Sequence, residues 1–287
     1  MNIISGETLQ ELSHIYLGIN NDFKNNPYIH KQTHKHKNIL EISQNYNNPK
    51  IVFCYGHRLT ILAEKIKYFT NEFILITHNS DKNIVNNDIS IIQIYNCSKL
   101  LKWYAQNVCF ENHKLHLLPI GIANQQWEHG INFYKFYKTL NNDTNNTKLI
   151  TKTKNIYFWF NIDTNKTKRN ICYNSIIKKI PFLNKINSTD NFQRLSEYKY
   201  CICPEGNGVD THRFWEALYL KCVPIVINSV FINIIKKNTN LPMIILNSWD
   251  DLDINKLEDY DTFNFINNDT NKYLNLDYYK ELIELIE

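Results

Sequence analysis

The chain has 287 residues, 43% of them hydrophobic and 13% aromatic, a globular composition with chain enough for about two domains. Its formal net charge of +4 suits anionic small molecules and excludes the strong basic footprint of a nucleic-acid binder. Seven cysteines, at 54, 97, 109, 172, 201, 203 and 222, form neither a metal-ligand spacing nor a disulfide framework, so buried free thiols in a reducing, cytoplasmic setting are expected.

The N-terminal stretch has no basic region followed by an apolar core, so no signal peptide is expected, and no run approaches the roughly 18 apolar residues of a membrane span. Leu9, Leu12, Tyr16 and Leu17 space as one amphipathic helix. His30, His34 and His36 follow in a polar, lysine-rich stretch that reads as a solvated loop. From residue 50 the pattern becomes β/α. Residues 51–55 predict a strand, Gly56-His57-Arg58 a turn, and Leu59, Leu62, Ile66 and Phe69 one face of a helix. Residues 73–77 predict the next strand, ending at His78-Asn79-Ser80-Asp81. Residues 89–94 predict a third strand, 99–106 a short helix and 115–119 a fourth strand.

Residues 137–155 lose apolar periodicity and predict a linker between a domain at 1–136 and a second at 156–260. The second opens with a strand at 156–160, a basic turn with Lys166, Lys168 and Arg169, and a helix at 170–179. After a strand at 243–246, Ser248 predicts a helix cap. Asp250 and Asp251 suit the first turn of that helix better than an Asp-x-Asp metal site, which Asp251 and Asp253 also spell. A tail at 261–287 places Leu282, Ile283 and Ile286 on one helix face that packs back on the domains.

Residues 198–227 carry the most information. An alternating strand ends at Pro204, Glu205-Gly206-Asn207-Gly208 forms a loop with room for positive φ, Asp210 or Thr211 caps a helix, and 223–227 is a wholly apolar strand. A strand, glycine loop and helix N-terminus is how α/β proteins build an anion site. Arg213 and Glu216 lie three apart on one helix face, with His212 on a neighbouring line. Two readings of the pair stand: a diphosphate fork beside a ribose-diol acceptor, or an exposed helix ion pair.

The stretch CPEGNGVDTHRFWEALYLKCVPIV resembles the donor-binding motif of exostosin-like glycosyltransferases, particularly small versions from large DNA viruses and some microbes. It is more distantly similar to the α-1,3-fucosyltransferase motif. HLLPIGIANQQWEHG and IYFWFNIDTNKTKR look like the same family. The resemblance implies an α/β GT-B-like fold, two Rossmann-like doubly wound domains facing a central cleft. It also implies inverting transfer of a hexosyl or pentosyl group from a nucleotide-diphosphate sugar to a glycan or glycoprotein hydroxyl, with no metal or other cofactor. Gly206, Asn207, Gly208 and Arg213 are then expected around the diphosphate, Glu216 at the ribose, Asp210 and His212 as further donor-binding residues, and Arg169 or Lys168 as a further phosphate contact. The base is expected from a strand-end loop of the N-terminal half, with His78 and Asp81 first and His57, Glu128 and His129 as alternatives. An inactive nucleotide-sugar- or glycan-binding protein is the competing class. An oxidoreductase fits less well, because the third glycine of the dinucleotide fingerprint is missing.

Overall fold

The computed structural model describes residues 2–24, 31–142, 152–259 and 272–285. His30, Ile286 of the expected tail helix and the middle of the expected linker lie outside them. The chain is α/β, with one six-stranded and one four-stranded parallel sheet. It divides into two compact units, Met1–Gln126 with Asn275–Glu287, and Trp127–Leu274. The boundary lies ahead of the expected linker, because helix α5 (Glu128–Asn142) takes up the residues from 137 to 142.

The first unit runs α1 (Gly6–Glu11), β1 (Ile15–Gly18), α2 (Asn20–Lys24), β2 (His36–Asn38), β3 (Ile51–Tyr55), α3 (Leu59–Lys65), β4 (Phe73–His78), α4 (Ile89–Tyr95), β5 (Leu100–Ala105) and β6 (Leu115–Leu117). The sheet order is β2-β1-β3-β4-β5-β6, so the winding reverses between β1 and β3. Ile51, Phe53 and Tyr55 alternate onto one face of β3, Ile74 and Ile76 onto the same side of β4, and all join one core with Leu9 of α1. The C-terminal helix α10 (Leu276–Glu284) closes that core with Tyr279 and Ile283, and Tyr104 Oη donates to the Leu282 carbonyl at 2.7 Å.

Three expectations are corrected here. The helix expected through Leu17 stops at Glu11, and residues 15–18 form a strand that pairs with β3. Residues 89–95 are a helix: Asp88 caps it by accepting from Ser90 and Ile91 N–H, and Ile91 and Ile94 are buried while Ile89 faces out. Residues 100–105 are a strand, not a helix.

The turn after β6 contains a glycine the fold requires. Gly121 has φ +64°, and a Cβ there would stand 2.3 Å from the Ile4 carbonyl oxygen, which accepts from Ile122 N–H at 2.8 Å. Gly121→Ala is expected to cost at least about 1–2 kcal/mol for the left-handed backbone alone, with the clash added. A urea midpoint within error of the wild type would show that the turn can be rebuilt.

The second unit runs α5, β7 (Lys154–Tyr157), α6 (Lys166–Ile176), α7 (Ser188–Ser196), β8 (Tyr198–Ile202), α8 (His212–Tyr219), β9 (Val223–Ile227), α9 (Val230–Asn238) and β10 (Ile244–Leu246). Its order, β10-β9-β8-β7, winds one way, so it lacks the reversal a doubly wound sheet would show among its described strands. Ser248 caps the short turn Trp249–Asp251, and the Asp251 carboxylate accepts from Ser248 N–H at 2.8 Å. No helix among the described residues is long and apolar enough to cross a membrane.

Candidate functional site

In the second unit the chain turns at Pro204 beyond the carboxyl ends of β8, β9 and β10, where open α/β sheets hold their ligands. A cavity of about 320 Å³ lies there. Its walls are apolar and aromatic, from Phe214, Val226, Phe231 and Trp249, with Thr211 and Asn247 among the polar groups at its surface. The loop expected to meet the donor supplies Pro204, Glu205, Val209, Asp210 and Thr211. Asp210 is buried and accepts from Trp215 Nε1 at 2.8 Å, which pins the loop to α8. The side chain of Thr211, the residue before α8, makes no cap bond to the helix.

The glycines differ from expectation. Neither Gly206 nor Gly208 has positive φ, and a Cβ on Gly206 would meet only ordinary contacts, the nearest being Arg169 Nη2 at 3.5 Å. The protein itself therefore leaves space at Gly206. Asn207 is exposed, and His212 is half-buried.

Arg169 is buried and ties two loops together: Nε donates to the Glu205 carbonyl at 3.0 Å and Nη1 to the Asn161 carbonyl at 2.6 Å. Its Nη2 has no hydrogen bond among the described residues and faces Gly206. Burial, with the Arg213 charge nearby, pulls its pKa down to about 10, so it remains a cation at neutral pH. Lys168 is more than half exposed and pairs with the Glu205 carboxylate at the cavity's edge.

Arg213 and Glu216 are neither an exposed pair nor an open grip. Glu216 is 1% exposed, and its Oε1 lies 2.6 Å from His129 Nε2 while its Oε2 lies 3.2 Å from Arg213 Nε. Arg213 packs over the rings of Tyr157 and Trp159, at 5.2 and 5.7 Å from their centroids, and its Nη1 is buried without a hydrogen-bond partner. Burial opposes both charges. For Glu216, His129 and Arg213 outweigh it and hold the carboxyl at about 2; for Arg213, Tyr157 and Glu216 outweigh it and raise the guanidinium further. Where a ribose grip is expected, Glu216 has its Oε1 against His129 and its Oε2 buried without a hydrogen-bond partner, while Phe214 of the same helix lines the cavity. His129, expected as a base, belongs to this cluster, and Glu128 is exposed at the start of α5.

In the first unit the two first-choice bases part company. His78 ends β4 with 2% exposure. Its Nδ1 accepts from Asn79 N–H at 2.8 Å and its Nε2 lies 3.0 Å from the Pro119 carbonyl, to which it donates. Both nitrogens serve the backbone, so His78 has no lone pair to offer a substrate. Asp81 is exposed, and His78 does not orient it.

His57 is placed differently. It follows β3, at the reversal of the sheet between β1 and β3, and its Nε2 lies 2.9 Å from Asp22 Oδ1. Arg58 forks onto the same carboxylate, Nε to Oδ2 and Nη2 to Oδ1, both at 2.9 Å, and Ile19 N–H donates to Oδ2 at 2.8 Å. Sequence reasoning missed Asp22. Seeing residues 15–18 as a strand would have placed it at a strand end. The aromatic wall at Phe231 and Trp249 was also missed, for want of any motif. No protein-family model matches this chain, and no curated protein does either.

Proposed function

We propose that the protein is a nucleotide-sugar-dependent glycosyltransferase of the GT-B type, the second unit taking the donor and the first the acceptor. The observation that carries the reading is the cavity at the carboxyl ends of β8–β10. Its aromatic walls suit a nucleobase, and its rim is made by the loop of the donor-like motif. Arg169 Nη2 beside Gly206, together with Lys168, supplies positive charge for a diphosphate, and the start of α8 adds backbone N–H groups. The diphosphate is then stabilised by cationic side chains and no metal is called for. The reaction runs in a reducing, cytoplasmic setting, in keeping with seven cysteines of which none is joined in a disulfide.

Calorimetry with UDP and GDP tests the site, and release of nucleoside diphosphate from a panel of UDP- and GDP-sugars tests the reaction. Protein that binds neither nucleotide is not such an enzyme. Lys168→Glu sets two carboxylates at the cavity edge, and losing one charged contact of about 1.5–3 kcal/mol weakens binding roughly 10- to 150-fold. Thermal stability is expected to stay within a degree or two, because exposed pairs contribute little. Unchanged affinity moves the diphosphate away from Lys168. A second reading, a nucleotide-sugar-binding protein without transfer, draws on the pairing of a buried Glu216 with a largely covered Arg213. Binding without nucleotide release in any donor would select it.

A further inference from the structure

The cavity of the second unit has two chemically different margins. The order β10-β9-β8-β7 sets β7 and β10 at opposite sides of the four-stranded sheet, three strand spacings or about 14 Å apart. Lys168, in α6 after β7, stands at one margin, with Arg169 Nη2 and Gly206 beside it. Asn247, Ser248 and Trp249 follow β10 and form the other. Between them the lining is apolar, from Phe214, Val226 and Phe231. A nucleoside diphosphate laid across the strand ends has its phosphates at the β7 margin, where the cations are, and its base at the β10 margin.

The β10 margin is arranged to give hydrogens. In the ladder of β9 and β10, Leu246 stands opposite Ile227, so Asn228 and Asn247 come next, and Asn228 N–H donates to the Leu246 carbonyl at 2.7 Å. Asn233 Nδ2 donates to Asn228 Oδ1 at 3.0 Å, and Asn228 Nδ2 donates to Asn247 Oδ1 at 3.2 Å. This chain of carboxamides runs one way and ends on Asn247, whose Nδ2 has no hydrogen bond among the described residues. With its oxygen engaged, the Asn247 amide offers its NH₂. Ser248 is used in the same sense: its Oγ accepts from Asp250 N–H at 3.3 Å, which leaves the hydroxyl hydrogen to give. The rings of Phe231 and Trp249, both buried, supply apolar surface for a base at this margin.

We propose that Asn247 selects a nucleobase that presents a carbonyl oxygen, O4 of uracil or O6 of guanine, over one that presents an amino group at that position, cytosine or adenine. The inference rests on the nucleotide-dependent reading above and names the class of nucleotide the site takes. Facing a carbonyl, the amide and hydroxyl hydrogens meet an acceptor. Facing an exocyclic amino group, donor stands against donor, and the amide hydrogens go unsatisfied. Asn247 determines the specificity; Asn228 is a positioning residue that fixes which way the Asn247 amide points.

Calorimetry on the full chain with UDP, CDP, GDP and ADP tests the assignment. In whichever ring class binds, the amino base is expected to bind at least about 5-fold more weakly than its carbonyl counterpart, CDP against UDP and ADP against GDP. The UDP and GDP arms tell a pyrimidine site from a purine site. Asn247→Asp replaces the NH₂ by an accepting oxygen and is expected to turn the preference over within the pair. Asn228→Ala frees the amide to rotate and is expected to bring the ratio within the pair toward one, with affinity for the carbonyl base changed by no more than about 3-fold. An amino base bound as tightly as its carbonyl counterpart by the wild type overturns the assignment alone, and so does a preference left unchanged in Asn247→Asp. Wild-type protein that binds none of the four nucleotides sinks the transferase reading and this assignment with it.

Discussion

Arg213→Ala is expected to unfold the second unit more readily by about 3–5 kcal/mol, the range for removing one partner of a buried ion pair. Glu216 is 1% exposed and would lose the guanidinium that stands 3.2 Å from its Oε2. The guanidinium also packs on Tyr157 and Trp159, so truncation leaves a void beside two aromatic rings. The measurement is a urea titration followed by calorimetry with UDP and GDP under conditions where the variant remains folded. The geometry predicts a large loss of stability and a binding loss below about 10-fold, since Arg213 does not line the cavity. A variant as stable as wild type that binds nucleotide 100-fold more weakly would return Arg213 to the diphosphate. Arg213→Lys separates the two ideas further. A lysine keeps the charge but not the planar fork that stacks on Tyr157, so most of the stability loss should remain.

The parts of the fold that read correctly from sequence share a cause. β3 and β9 are short apolar runs closed by a turn, and their bounds at 51–55 and 223–227 follow from that alone. The exchanged pair at 89–106 shows where this fails. ISIIQIY is rich in isoleucine, broken only by Ser90 and Gln93, which suits a strand as well as a half-buried helix, and the Asp88 cap before it decides. LLKWYA is buried over Trp103, Tyr104 and Ala105, so no alternation marks it as a strand. At the site, the loop at 203–211 was legible because its punctuation is local. The fate of Arg213 and Glu216 was not, because a spacing of three looks the same on an exposed face and a buried one. What decides between them is His129, 87 residues away. Asp22 and His57 are likewise 35 residues apart, joined only by the pairing of β1 with β3.

Glu216 also sets a stability that depends on acid. Its carboxyl falls from an ordinary 4.5 to about 2 in the folded protein, burial being outweighed by His129 and Arg213. A depressed folded value means that the unfolded chain binds the proton first, so folding loses stability as pH falls. The contribution is fully present above about pH 4.5 and is lost progressively as pH drops from there through about 2. A shift of this size corresponds to about 3 kcal/mol on the order-of-magnitude scale of 1.4 kcal/mol per unit. Glu216→Gln removes the titration while keeping the side chain's length, and it leaves Arg213 without its anion. The variant is therefore expected to be less stable at neutral pH and to show a flatter decline between pH 4.5 and 2 than the wild type. Asp22 titrates downward in the same direction, so wild type and variant both retain some acid sensitivity from the first unit. Comparing Glu216→Gln with Asp22→Asn by urea titration at a series of pH values separates the two contributions. If the Glu216→Gln curve runs parallel to wild type across that window, the carboxyl is not held by its neighbours in the folded protein, and the buried cluster of His129, Glu216 and Arg213 is not a stabilising ion network.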